Sequence, residues 1–203
     1  ETEISLSDEG LYSFEMPDGD IEINVELTND IAVGDFIISA DEPLSDGTDY
    51  SYSGGCLTIM TDREVSVKNA DFETPTSDHI YIPSSAAAHI VLCGVNIMTS
   101  DYDTPAISIA GNSTNTVQIS LLDGTRNLLY AAQDSAIRKS GSAGRLVIDG
   151  GGCLDARCDV DTCPVIGCRG VVSAPANACG IEINGGHIYI GTMTERDESG
   201  LAY

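Results

Sequence analysis

The sequence predicts an all-β fold, a short three-sided right-handed parallel β-helix behind an N-terminal β cap. Two observations predict it: helical periodicity is missing, and short apolar runs recur as a repeating unit. No stretch sustains the i, i+3, i+4, i+7 apolar spacing of an amphipathic helix. Alternating runs of a few residues are instead separated by Gly, Asn, Asp, Ser and Thr, which reads as a series of short strands. Trp is absent and aromatic residues make up 5% of the chain, so Ile, Val, Leu and Ala must build the core.

The repeat decides how the strands are arranged. Ile90-Val91-Leu92, Val117-Gln118-Ile119, Leu146-Val147-Ile148 and Ile181-Glu182-Ile183 open successive units. A polar turn follows each, at Cys93-Gly94, Ser120, Asp149-Gly150-Gly151 and Asn184-Gly185-Gly186. A second apolar pair comes next: Val95 with Ile97, Leu128 with Leu129, Leu154 with Ala156, and Ile188 with Ile190. A longer loop leads to a third, at Ile107 with Ile109, Ala136 with Ile137, Val165 with Ile166, and Leu201-Ala202. An earlier unit reads at Leu57-Thr58-Ile59, Val65-Ser66-Val67 and Ile80-Tyr81-Ile82. One unit has three short strands and cannot bury its apolar side alone; stacked units can. Propeller blades rank lower because the units are too short for four strands. An antiparallel β-sandwich is the structural alternative.

Residues 1–50 do not follow the repeat. Ser13 to Asp20 reads as a turn, Ile21 to Leu27 and Gly34 to Ala40 as alternating strands. This part is expected to cap the coil or to end a preceding module, since a bare terminal rung is an unpaired edge. The coil itself is expected over 51–203. Glu1 opens the chain without a signal peptide, and Gly200 to Tyr203 fall within the pattern, which reads as a coil truncated at its C-terminus and a piece of a longer polypeptide.

Charge narrows the partners. Lys plus Arg number 9 against 32 Asp plus Glu, a formal charge of −23. Such a surface repels phosphate backbones and anionic membranes, so no nucleic acid is expected. No apolar run has the length of a membrane span, so no direct membrane insertion is expected. The acid keeps a surface protein soluble, or some of it holds calcium. Seven Cys are present, five of them between 153 and 179. Zinc ligands usually come two to four residues apart, and the spacing here is wider. Disulfides among Cys153, Cys158, Cys163, Cys168 and Cys179 in an oxidising compartment are one reading. Small buried thiols in a stacked core are the other.

Several phrases then run in order along most of the chain: GTDYSYSG (47–54), IVLCGVNI (90–97), VQISLLDGTRN (117–127), AIRKSG (136–141), LVIDGGG (146–152) and IEINGG (181–186). On these, the stretch from Gly34 to Gly186 resembles bacterial surface proteins of the carbohydrate-binding-domain type with a pectin-lyase-like β-helix. Tyr12 to Leu27 (YSFEMPDGDIEINVEL) is similar to the closing strands of small β-rich modules strung along bacterial surface proteins. The resemblance implies export, a place among other modules of one parent chain, and binding of polysaccharide or a surface glycan. The wider fold also includes calcium-dependent polysaccharide lyases. The chain departs from the group at Cys158, Cys163, Cys168 and Cys179, where Gly, Ala, Ser or Thr is usual.

Candidate chemistry is sparse. A lyase needs a basic side chain to take a sugar proton, and the only lysines are Lys68 and Lys139. Lys139 and Arg138 sit near Asp134 and Asp149 in what reads as a solvated polar corner. The densest loop acids are Asp101 with Asp103, and Asp155 with Asp159 and Asp161. The second set is the candidate calcium site; either set also offers the carboxylate pair a glycosidase needs. His79, His89 and His187 show no metal-ligand spacing. Sugar-binding modules present flat aromatics to sugar rings. Tyr102, between Asp101 and Asp103, and then Tyr130 are the candidates. The expected function is a non-catalytic extracellular, cell-surface binding or adhesion (adhesin) module. A calcium-dependent lyase or hydrolase, and a structural spacer, are the alternatives.

Overall fold

A computed structural model describes residues 29–111, 114–141, 144–160, 163–167 and 180–192, and the backbone alone at 5–6 and 12–13. Within them lie nineteen strands and no helix. β1 (Ser5–Leu6) and β2 (Tyr12–Ser13) pair antiparallel as a two-stranded sheet. The rest form a right-handed parallel β-helix of three sheets.

The chain travels around the coil in a fixed order. The first sheet contains β3 (Ile31–Val33), β4 (Phe36–Ser39), β7 (Glu64–Asn69), β9 (His89–Leu92), β12 (Thr116–Leu121), β15 (Arg145–Gly150) and β18 (Ile181–Ile183). The second contains β10 (Asn96–Thr99), β13 (Arg126–Ala131), β16 (Cys153–Cys158) and β19 (His187–Gly191). The third contains β5 (Tyr50–Ser53), β6 (Cys56–Ile59), β8 (His79–Ile82), β11 (Ile107–Ile109), β14 (Ile137–Lys139) and β17 (Ile166–Gly167). Three complete turns therefore run β9–β10–β11, β12–β13–β14 and β15–β16–β17, with β18 and β19 beginning a fourth. At the other end β3–β4, β4–β7 and β5–β6 pair antiparallel and close the mouth of the coil. Phe36 and Ile38 of this cap are wholly buried against the first parallel coil.

Alternation drives the packing. In β12 the buried residues are Val117, Ile119 and Leu121, and the residues between them face outward. Register then stacks like on like: Val65, Ile90, Ile119, Ile148 and Ile183 form one inner column, and Leu57, Ile80, Ile107, Ile137 and Ile166 another. Each fully buried Ile contributes about 1.5–3 kcal/mol of apolar burial. The tight corners need glycine where backbones nearly touch. Gly150 has φ +94, and a Cβ there would stand 2.3 Å from the Leu121 carbonyl oxygen of the coil below.

Three details depart from the sequence reading. Ile90 stands on Ile119 rather than on Val117; Ala88, two residues before it, whose carbonyl accepts the Gln118 amide, takes the place next to Val117. Leu128 faces outward, and buried Asn127 takes the inner position. Its Oδ1 accepts the amides of Gly94 and Val95, each at 3.0 Å, and its Nδ2 donates to the Cys153 carbonyl at 3.2 Å. A corner turns backbone groups away from the sheet ladder, and a side-chain amide satisfies them. Lys139 is not a solvated corner residue. It is 2% exposed and lies in the Ile109 position of the third sheet. Its Nζ donates to the Gly141 carbonyl at 3.1 Å, and burial pulls its pKa down.

Of the two readings of the cysteines, the described residues fit small thiols packed in the stack, not disulfides. Cys153, Cys158 and Cys163 are free thiols, as are Cys56 and Cys93. Cys153 and Cys158 stand at opposite ends of β16, five residues or about 16 Å apart at strand rise, beyond disulfide reach. The Cys158 Sγ contacts the carbonyl oxygens of Val160 at 3.9 Å and Cys163 at 3.6 Å. Cys168 and Cys179 lie outside the described residues, as does most of Tyr12 to Leu27. Among the described residues no disulfide is present.

Candidate binding surface

Parallel register turns each outward position into a row of side chains across the coils. On the second sheet one row runs Asn96, Leu128, Asp155, Tyr189, and the next runs Met98, Tyr130, Arg157, Gly191. Asn96, Met98, Leu128, Tyr130, Asp155 and Arg157 line a shallow cleft on this face. Asp155 is 4% exposed and held by guanidinium groups: Arg157 Nε donates to it at 2.6 Å, and Arg126 Nη2 lies at 3.6 Å. Arg157 also donates to the Thr192 carbonyl at 3.1 Å. The Tyr130 hydroxyl donates to Asp159 at 2.5 Å. Burial first, and then this carboxylate, push the Tyr130 pKa up to about 12.

Beyond the second sheet lies the corner between it and the third, where loops of successive turns follow one another. Asp101, Tyr102 and Asp103 occupy the loop between β10 and β11, and all three are exposed. Asp134 lies in the next loop, between β13 and β14, and is wholly buried. Arg138 Nη1 bridges the two, 2.5 Å from Asp103 Oδ1 and 2.6 Å from Asp134 Oδ2. Asp134 Oδ1 accepts the Ser135 amide at 2.7 Å. The structure thus brings Asp101, Tyr102, Asp103, Tyr130 and Asp159 to one side of the coil, on three consecutive turns.

The calcium candidates do not converge. Asp155 has both oxygens engaged by arginine, which does not suit it to a cation. Asp159 accepts from Tyr130, and Asp161 lies outside the described residues. Among the described residues no group of three or more His, Cys, Asp or Glu is placed to hold a metal ion. Among them, too, no helix is long and apolar enough to cross a membrane.

Sequence reasoning missed a hydrogen-bonded ladder on the outer face of the first sheet. Glu64 Oε2 lies 3.1 Å from His89 Nδ1, and His89 Nε2 lies 2.9 Å from Ser120 Oγ. Ser120 Oγ donates to Asp149 Oδ1 at 2.6 Å, and Gln118 Nε2 donates to Asp149 Oδ2 at 2.8 Å. An acid, a histidine and a serine in line outline an activated nucleophile. Here, however, the single hydroxyl proton of Ser120 goes to Asp149, and negative charge developing on Oγ would face that carboxylate. The ladder ties four turns together and does not activate the serine. Its members are 25 to 31 residues apart, and only aligning the units by register would have found it.

Comparison of the chain with protein-family models, curated proteins and solved structures finds no match. The parallel coil itself rests on the strand pairing alone.

Proposed function

We propose that this chain is a non-catalytic binding module of an exported, cell-surface bacterial protein, an adhesin-type unit that takes a polysaccharide or surface glycan across the second sheet and its exit corner. The carrying observation is the gathering of Tyr102 and Tyr130 with Asp103 and Asp159 on consecutive turns of one rigid coil. Aromatic faces pack on sugar rings and neighbouring carboxylates accept their hydroxyls. Side chains already fixed by the stack lose little entropy when a ligand settles on them. Export, and company with other modules of one parent chain, rest on the resemblance of the sequence to surface proteins and on its acidic composition.

A glycan array, run with and without calcium, tests this reading. Retention of a polysaccharide that is lost in the Tyr102→Ala and Tyr130→Ala variants supports it. A folded protein that retains no glycan in either condition overturns it and leaves a spacer role.

A further inference from the structure

We infer that Arg138, backed by Asp134, is a positioning residue that holds the Asp101–Asp103 loop in the shape that presents Tyr102. This rests on the proposed function only for what Tyr102 does; the hold itself stands on geometry.

The loop would be expected to move, because three exposed residues project from the corner. Yet Asp103 adopts φ +64, the one positive φ outside glycine among the described residues. A left-handed conformation at a non-glycine residue is uncommon, and it persists where surrounding contacts determine it. The contact is visible: Arg138 reaches Asp103 at 2.5 Å from the next turn, 35 residues away in the chain. The Asp103 side chain is 64% exposed, whereas that of Arg138 is 17% exposed, so the anchor is the better fixed partner. Arg138 is held in turn by Asp134, whose side chain is wholly buried and takes the Ser135 amide at 2.7 Å. Order therefore passes from a buried carboxylate, through one guanidinium nitrogen, to an exposed loop. Tyr102, adjacent to Asp103, is 72% exposed, the largest exposure of any large apolar side chain described. The pair holds the backbone of a loop whose tyrosine remains largely exposed. Arg138 acts through the loop and need not touch the ligand.

The absence of tryptophan from the chain supplies the test. In Tyr102→Trp the indole is the sole tryptophan, and its time-resolved fluorescence anisotropy reports loop motion directly. In that background a single slow decay is expected. Adding Arg138→Gln should introduce a fast component on the nanosecond scale of free loops, with quenching by acrylamide increased. Arg138→Lys should recover part of the order, since it keeps a single cationic nitrogen between the two carboxylates but on a stem of different length and without the rigid guanidinium plane. Asp103→Gly removes the anchor without demanding a strained backbone, so it should free the loop while the melting temperature holds. Affinity electrophoresis through soluble β-glucan, mannan and polygalacturonate, with Tyr102 intact, reads the ligand side. Fast motion without any glycan retention sustains the positioning role and defeats the glycan reading. Unchanged anisotropy in both Arg138→Gln and Asp103→Gly overturns the inference, whatever the glycans do.

Discussion

The outer face of the first sheet and the corner beyond the second both tie carboxylates into hydrogen-bonded groups, but with different exposure. On the first sheet Glu64, His89, Ser120, Gln118 and Asp149 bond to one another across flat, evenly spaced strands. At the corner Asp103, Arg138 and Asp134 also bond to one another, but they leave Tyr102 standing in solvent. A sheet repeats at about 4.8 Å and lets short polar side chains pair with neighbours above and below. A corner loop changes length from turn to turn and carries what the regular face cannot.

Both regions hang on one shaft, so the largest effect should come from beneath them. Ile119→Ala, in the middle of a stacked column, is expected to lower stability by about 2–5 kcal/mol in urea unfolding, and both faces should go together. Separate transitions for the two faces would break the shared shaft. The contrast itself is next. Asp134→Ala strips the buried support from Arg138 and should cost about 3 kcal/mol, as loss of one partner from a buried pair does. His89→Ala on the exposed ladder should cost less than about 1 kcal/mol. Equal losses in denaturant melts would erase the distinction between the regions.

Smaller effects sharpen it. Lys139→Met, set among isoleucines, should gain about 1 kcal/mol at neutral pH. The sign follows from burial: the folded state holds the Lys139 proton less firmly than the unfolded chain does. The charge penalty is thus complete below the lowered folded pKa and fades as pH climbs toward the ordinary lysine range. The gap between variant and parent should narrow over that climb; a constant gap from neutral to alkaline pH refutes the account. Last, Tyr130→Phe should cost about 0.5–1.5 kcal/mol through loss of the hydrogen bond to Asp159. Ultraviolet titration should show one tyrosine fewer ionising near pH 12, with Tyr52, which donates to Asp78, remaining there.

The coil was legible because its cause is local. Alternating triplets such as Val117-Gln118-Ile119 state which side is apolar, and their recurrence implies stacking. Register was less legible. Ile90 could sit on Val117 or on Ile119, and only Ala88, whose carbonyl accepts the Gln118 amide, resolves the choice. Lys139 misled because a lysine reads as surface, although strand alternation from Ile137 points it inward. Asn127 hid for the same reason. Asp101, Tyr102 and Asp103 could be named from loop chemistry and Arg138 placed near Asp134, but the reach of Arg138 to Asp103 could not be seen. Its partners lie 4 and 35 residues away, and no local pattern links them.

The two ends of the coil are not equivalent. Antiparallel hairpins close one mouth, whereas in the last described strands, β18 and β19, Ile183 and Ile190 are 51% and 55% exposed, although their columns are dry a turn earlier. Neighbour-only contacts make such a stack peel like a coiled ribbon, from whichever turn has the fewest neighbours. An unfolding that began in β18 and β19 would therefore have to pass through two further turns, β15–β17 and β12–β14, before it reached the one that carries the Tyr102 loop.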